Sequence, residues 1–267
     1  MARHTPVMAV MVAAARKAAR GLQRDFGEVE NLQVSLKGPA NFVTAADRKA
    51  EKTLFEELSK ARPGYGFLME EGGAVEGSDK SHRWIIDPLD GTTNFLHSIP
   101  HFSISVGLER DGQMVAGLVY NPISDEMFIA EKGQGAFLND RRIRVAARRN
   151  LAQSVVACGI PDLGRPGHER FSAELSALMK EVAGVRRMGS AALDLAYVAA
   201  GRYDAYWEAN LSPWDMAAGI VLVREAGGSV SDLAGREDMI NSGGILVGNE
   251  AVHRELAAVL KRAHANS

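Results

Sequence analysis

The run Trp84-Ile85-Ile86-Asp87-Pro88-Leu89-Asp90-Gly91-Thr92-Thr93-Asn94 sets the strictest terms on any fold this chain adopts. Three large apolar residues in a row read as a buried strand, which needs a sheet around it. Asp87 is expected to end that strand at the sheet edge. Pro88 keeps the residue before it out of the helical region, so Asp87 stays extended while the chain turns and brings Asp90 back toward it. Both carboxylates then face one point. Gly91 permits close backbone approach, and Thr92, Thr93 and Asn94 read as the start of a short helix whose unpaired N–H groups favour an anion. Two carboxylates beside a phosphate repel it unless a hard, oxygen-seeking cation such as Mg²⁺ offsets the charge. The pattern implies metal-dependent phosphatase chemistry.

Turn capping is the simpler reading of Asp87 and Asp90, because Asp favours turns. Acids elsewhere weigh against it. Glu70 and Glu71 follow Phe67-Leu68-Met69, and Asp215 follows Trp214 in Trp-Asp-Met-Ala-Ala-Gly, so each stands where a short apolar run ends. Taken singly, an acidic pair is weak evidence, and a lone Trp-Asp is usually a helix start with Asp in its first turn. The combination is the specific signal.

From Asn41-Phe42-Val43-Thr44-Ala45-Ala46-Asp47 the order and spacing continue through Met69-Glu70-Glu71, Asp87 to Asn94, Gly189-Ser190-Ala191-Ala192, Glu208, and Trp214 to Gly219. Over nearly its whole length the chain resembles the inositol monophosphatase family, in its bacterial extragenic-suppressor branch. The resemblance implies a layered α-β-α-β-α sandwich of the sugar-phosphatase type, described here as α+β in one half and α/β in the other. It implies Mg²⁺, two or three ions per site, held by Glu70, Asp87, Asp90, Asp215 and the main-chain carbonyl of Leu89. Phosphate contacts fall on Gly91, Thr92 and Thr93, with Asp90 and Asp215 also beside the substrate, while Gly189, Ser190, Ala191 and Glu208 match positions facing its alcohol part. Ser190 stands where Thr is frequent, and Met69 where a smaller residue often precedes the paired glutamates. Neither change removes a metal ligand. Asp47 has two readings: a first-turn acid that complements a helix dipole, or, as in the family, the partner of Thr92.

The mechanism so implied is direct in-line hydrolysis of a phosphate monoester. Mg²⁺ on Glu70, Asp87 and the Leu89 carbonyl activates a water that Glu70 and the Thr92-Asp47 pair orient, and Mg²⁺ on Asp87, Asp90 and Asp215 stabilises the departing alkoxide. A covalent phosphoenzyme is not required, since aspartyl-phosphate enzymes expect Asp-x-Asp spacing rather than Asp-Pro-Leu-Asp. Glu208 can accept hydroxyl groups of a polyol and disfavours a second phosphate near it, which puts myo-inositol 1-phosphate first among substrates. Histidinol phosphate, whose cationic groups also suit an acidic wall, stays open beside other sugar or nucleotide phosphates. The family further implies a lithium-sensitive homodimer, and the apolar strands Ser154 to Ala157 and Ala205 to Trp207 suggest a dimer surface. Relatives in this branch resemble proteins that bind the transcription machinery, so a non-enzymatic role remains a separate reading.

Composition fits that frame. A chain of 267 residues can bury one large core, as one domain or two closely packed halves. Net charge of −2 and a pI near 6.4 leave no basic footprint for nucleic acid. The cluster Arg141, Arg142, Arg144, Arg148 and Arg149 reads as a solvated hairpin edge, with a contact to RNA or an acidic partner left open. The single Cys158 excludes an internal disulfide, fits a reducing compartment and reads as a small buried hydrophobe. His97 and His101 sit among Phe95, Ile99 and Phe102 and read as packing residues, as do Met8, Met11 and Met216. Gly133 and Gly135 make a turn.

Arg3 and the apolar stretch after Pro6 imitate a signal peptide, yet Val7, Met11, Ala14, Ala18, Leu22 and Phe26 continue at helical spacing between basic residues. An amphipathic helix on a sheet is expected, in a cytoplasmic protein with no transmembrane span. A strand is expected at Leu32 to Leu36, a helix from its cap Thr44 to about Ala61, a loop at Gly72 to Ser81, and an antiparallel meander between Phe102 and Phe137. Beyond residue 150 strands near Ser154 to Ala157, Val185 to Arg187, Ala205 to Trp207 and Gly244 to Val247 alternate with helices at His168 to Glu181, Ala191 to Ala200, Pro213 to Glu225 and Glu250 to Ala263. The reading therefore divides the unit into an α+β half over 1–150, carrying most metal ligands, and an α/β half over 151–267 that completes the site.

Overall fold

A computed structural model of the chain describes residues 4–28, 34–38, 41–161, 163–164 and 166–265. In chain order the first half holds α1 (Pro6–Phe26), β1 (Val34–Gly38), β2 (Asn41–Thr44), α2 (Ala45–Ala61), β3 (Tyr65–Met69), β4 (Gly73–Val75), β5 (Asp79–Asp90), α3 (Thr92–Leu96), β6 (Ser103–Arg110), β7 (Gln113–Asn121), β8 (Glu126–Glu131), β9 (Gly135–Leu138) and β10 (Arg141–Ile143). The second half holds β11 (Val155–Cys158), α4 (His168–Leu178), β12 (Gly184–Arg186), α5 (Ala191–Ala199), β13 (Ala205–Glu208), α6 (Pro213–Glu225), β14 (Ser229–Ser231), α7 (Met239–Ser242), β15 (Ile245–Gly248) and α8 (Glu250–Ala265).

Eight strands form one sheet in the order β10-β9-β8-β7-β6-β5-β3-β4, antiparallel except where β3 runs parallel to β5. The second sheet, β12-β11-β13-β15-β14, is parallel through its first three strands and antiparallel beyond them. Period-two alternation explains how the eight-stranded sheet serves two cores. Trp84 and Ile86 join the cluster formed by α1 and α2, while Ile85 between them joins the cluster formed by α5 and α6. On the far side of the second sheet, α4 and α8 cover Val156, Trp207 and Leu246. The layers run α-β-α-β-α, as the resemblance implied.

Local chemistry sets the helix ends. Thr5 caps α1 by accepting the N–H of Met8 at 3.2 Å, and Pro6 fills the first helical position. The expected stripe of Met11, Ala14, Ala18 and Leu22 is buried. Among the described residues no helix is long and apolar enough to cross a membrane. The expected strand at Leu32 to Leu36 is found from Val34 to Gly38, its first two residues lying outside the described residues.

Several boundaries differ from expectation. The presumed loop from Gly72 to Ser81 contains β4 and the start of β5, because Tyr65 to Met69 supplies a pairing edge that a three-residue strand alone could not advertise. Helix α4 stops at Leu178, three residues short of Glu181. Strands β11 and β13, suggested as a dimer surface, lie inside the second sheet and their apolar side chains are spent on the core. The arginine cluster does form an exposed edge at β10 and beyond, where Arg148 binds the buried Asp204 at 2.6 Å.

Helix α6 lies directly on β6 and β7, and Gly117 makes this contact feasible. A Cβ at that position would stand 2.4 Å from the Ala218 carbonyl oxygen, so the helix could not keep its present height above the sheet. Gly117→Ala is expected to cost about 1–3 kcal/mol through overpacking. Urea denaturation measures it, and an unchanged midpoint would show that α6 rides loosely on the sheet.

Candidate active site

The site begins with an irregularity in β5. Asp87 pairs with Ser105 and Asp90 with Ser103, so three steps on β5 face two on β6. Residues three apart on a regular strand point to opposite faces. The extra residue of this bulge, beside Pro88, restores Asp87 and Asp90 to one side. The strand thus continues to Asp90 instead of ending at Asp87 as expected, because the bulge re-aims the side chains while pairing with β6 persists. Asp87 also has the turn role considered for it, with Oδ1 accepting the N–H of Leu89 at 2.9 Å.

Helix starts deliver the other parts. Asp90 Oδ2 accepts the Ser190 hydroxyl and the Ala192 N–H at 2.8 Å, which fastens it to the N-terminal turn of α5. Asp215 lies in the first turn of α6 and its Oδ2 accepts the Ser212 N–H at 2.7 Å. Carboxylate oxygens of Asp87, Asp90 and Asp215 all lie within 4.8 Å of one another. Glu70 lies outside that tight trio, lining the same cavity and adding to the charge felt by Asp87. The Leu89 carbonyl accepts the Thr92 hydroxyl at 3.1 Å.

Both readings of Asp47 hold at once. Its Oδ2 accepts the N–H and hydroxyl of Thr44 in a capping box, while Oδ1 stands 3.1 Å from the Thr92 hydroxyl. Gly91, at φ +95°, turns the chain into α3, and Thr92 and Thr93 open that five-residue helix on the cavity floor. Gly189, Ser190, Ala191 and Glu208 line the cavity, whose volume is about 330 Å³. Glu208 is seated tightly: Tyr206 donates its hydroxyl to Oε2, and a Cβ on Gly159 would lie 1.8 Å from the Glu208 Cδ.

Some residues at the site have roles that the sequence reading did not assign. The Asn94 amide bridges the carbonyls of His101 and Met188, both at 2.7 Å, and so ties the turn after α3 to the segment between β12 and α5. Asp194 is buried in the cavity wall, and its Oδ1 has no hydrogen-bond partner among the described residues. A lone acid inside the apolar run Ala191-Ala192-Leu193-Asp194-Leu195-Ala196 was the available clue. Cys158 lies in the same wall, and burial pushes its thiol up to about 12, which removes it as a nucleophile. His101 is buried edge-on to Tyr197 at 5.7 Å and stands outside the cavity lining, as a packing residue should.

The electrostatics show what the acids are short of. Burial raises the Asp90 carboxyl to about 6 despite its hydrogen bonds to Ser190 and α5. Asp87 rises well above the carboxylate range through burial first and then Glu70, Asp90 and Asp215; Asp215 rises through burial and Asp90. The buried Asp87 and Asp90 and the half-buried Asp215 crowd negative charge into one corner of the cavity. Among the described residues the clustered donors are all carboxylate oxygens, with no Cys or His in the cluster, and that set fits a hard cation of the Mg²⁺ type rather than zinc.

A carboxylate trio and a helix-start anion nest, placed between the two sheets of a five-layer sandwich, define a metal-dependent phosphatase. The family model for the inositol monophosphatase family matches residues 3–265, and the chain belongs to that family. It is 62% identical to the inositol-1-monophosphatase of Mesorhizobium japonicum over 262 residues, 98% of each chain. The Nus factor SuhB of Escherichia coli is 41% identical over 96% of both. The crystal structure of extragenic suppressor protein suhB from Bartonella henselae superposes with a TM-score of 0.95 at 60% identity, covering 97% of this chain and 99% of that one.

Raised carboxyls give a signed prediction. Asp90 holds its proton to about 6 in the fold but releases it near 3.8 when unfolded, so its contribution to stability is complete below that lower value and lost as pH rises through about 6. A bound cation replaces that proton and restores the loss. The rise in melting temperature on adding Mg²⁺ to chelator-treated protein is therefore expected to be larger at pH 7.5 than at pH 5. Calorimetry at both values decides it, and an equal rise would separate the acid trio from cation binding.

Proposed function

We propose that the protein hydrolyses inositol 1-phosphate to inositol and phosphate with Mg²⁺ bound at Glu70, Asp87, Asp90, Asp215 and the Leu89 carbonyl. The observation carrying this reading is the convergence of the Asp87, Asp90 and Asp215 oxygens within 4.8 Å beside the open N-terminal turn of α3. Bound Mg²⁺ would lower the pKa of water and neutralise charge on the phosphoryl group. The chain's own residues supply placement. Main-chain N–H groups of Gly91 and Thr92, with the Thr93 hydroxyl, receive the phosphoryl oxygens. Glu70 and the Thr92 hydroxyl, itself held by Asp47, orient the attacking water, and the Glu70 carboxylate accepts its proton. Glu208, locked by Tyr206, accepts hydroxyl groups of the alcohol beside Gly189, Ser190 and Ala191.

Support for inositol phosphate as substrate comes from the relatives named inositol-1-monophosphatase and from the acidic wall around Glu208 and Asp194, which suits hydroxyl donors and repels a second phosphate. The family also supports a cytoplasmic, lithium-sensitive homodimer with two or three Mg²⁺ per site. A second reading rests on the relatives named Nus factor SuhB, in which contact with the transcription machinery acts apart from catalysis.

Phosphate release from inositol 1-phosphate, histidinol phosphate, fructose bisphosphate and an adenosine bisphosphate, with Mg²⁺, without it and with Li⁺, tests the assignment. Inositol 1-phosphate is expected to be preferred, with loss of turnover on chelation and inhibition by Li⁺. Asp87→Asn is expected to lower kcat/KM by about 10²- to 10³-fold, as several kcal/mol of transition-state stabilisation disappears. Preference for another panel member would replace the substrate. A cellular phenotype rescued fully by Asp87→Asn would favour the transcription reading.

A further inference from the structure

We propose that Glu51, on α2, is a positioning residue for Glu70, acting through the main chain of the turn that follows β3; the inference rests on the metal reading above. Glu51 stands four residues after Asp47, so the two acids share one helix face. That face is pressed against the site. Asp47 reaches Thr92, and Glu51 Oε2 accepts the Glu71 N–H at 2.8 Å, with the Gly72 N–H bonded to the same carboxylate.

Glu70 is thereby gripped from both sides. Its own N–H donates to the Ile86 carbonyl of β5 at 3.2 Å, while the peptide units after it are tied to α2. The main chain that carries the Glu70 side chain is held between these two anchors, and Glu70 lines the cavity that Asp90 and Asp215 also line.

The cost of this arrangement argues that it serves the site. Glu51 is only 7% exposed, sits beside the like charges of Glu70 and Glu71, and has no ion pair among the described residues. A buried glutamate so placed is expensive for a fold that needs only packing there. The carboxylate offers two acceptor oxygens to the Glu71 and Gly72 N–H groups. Glutamine offers one, and its amide would turn an N–H toward another N–H.

Three variants separate positioning from general stability: Glu51→Ala, Glu51→Gln, and Leu54→Ala, which empties a core position on the same helix. Mg²⁺ affinity is measured by titration calorimetry well below each melting temperature, and amide exchange at Glu71 and Gly72 is followed in chelator. Glu51→Ala is expected to weaken Mg²⁺ binding about 10- to 100-fold, the range for loss of a group that orients a metal ligand. The half-saturating Mg²⁺ concentration should shift more than kcat at saturation, with exchange at both amides faster. Glu51→Gln should fall between Glu51→Ala and the unaltered protein. Leu54→Ala should lower the melting temperature and leave Mg²⁺ affinity unchanged. Unaltered Mg²⁺ affinity in Glu51→Ala, or an equal loss in Leu54→Ala, would overturn the proposal. If the unaltered protein neither binds Mg²⁺ nor hydrolyses any phosphate monoester, the metal reading fails; the exchange data in chelator then decide by themselves whether Glu51 fixes the turn.

Discussion

Negative charge crowded into one corner of a cavity is the constraint around which this molecule is arranged. Asp87, Asp90 and Asp215 cannot share that corner without compensation, and the fold supplies part of it from backbone dipoles. Asp90 takes N–H groups from the start of α5, Asp215 is in the first turn of α6, Asp47 is in the first turn of α2, and α3 opens at Thr92. Four helix N-termini therefore converge where the anions gather, each presenting a partial positive charge. Their sum is insufficient, since the carboxyls still hold protons too tightly. The remaining deficit is what a divalent cation supplies.

Convergence of this kind needs rigid supports. Helices α5 and α6 are buried between the two sheets, so the helix ends that hold Asp90 and present Asp215 are fixed by packing on both sides. Close contact of α6 with β7 through Gly117 sets the height of Asp215 above the bulge in β5. Small displacements would matter because the three acids act on one another over a few ångströms in a medium of low dielectric. Core packing and site geometry are here the same property.

Legibility in the sequence followed the range of the interactions involved. Elements governed by local chemistry read well: the helix from Pro213 to Glu225 begins with Ser-Pro and ends where expected, and the strands of the meander fall between turn pairs such as Asp111-Gly112. The motif around Asp87 pointed to metal-phosphate chemistry because one short segment holds two acids and a helix start. The bulge itself was hidden. Whether Pro88-Leu89 ends a strand or kinks it depends on β6 alongside, far away in the chain. The same holds for β4, for the burial of β11 and β13, and for Asn94 and Asp194, whose roles arise from neighbours about 90 residues distant or from burial alone.

The site also divides by origin in a way that bears on how such enzymes change substrate. Asp87, Asp90 and the anchor of Glu70 belong to the eight-stranded sheet, with Asp47 on the helix that packs against it. Glu208, Cys158 and Gly159 belong to the ends of β13 and β11 in the other sheet. One sheet thus carries two of the three clustered acids, and the other shapes the opposite wall of the cavity. Replacing Tyr206 removes a hydroxyl that donates to Glu208, and a side chain at Gly159 would collide with its carboxylate, while the bonds of Asp87 to Leu89 and of Asp90 to Ser190 and Ala192 involve neither residue. Asp215 is the exception that joins the two, reached by α6 from the layer between them. On the function proposed above, a scaffold built this way can vary the alcohol it accepts while its acid cluster stays unchanged, since the cluster and the Glu208 wall sit on different sheets coupled mainly through α5 and α6.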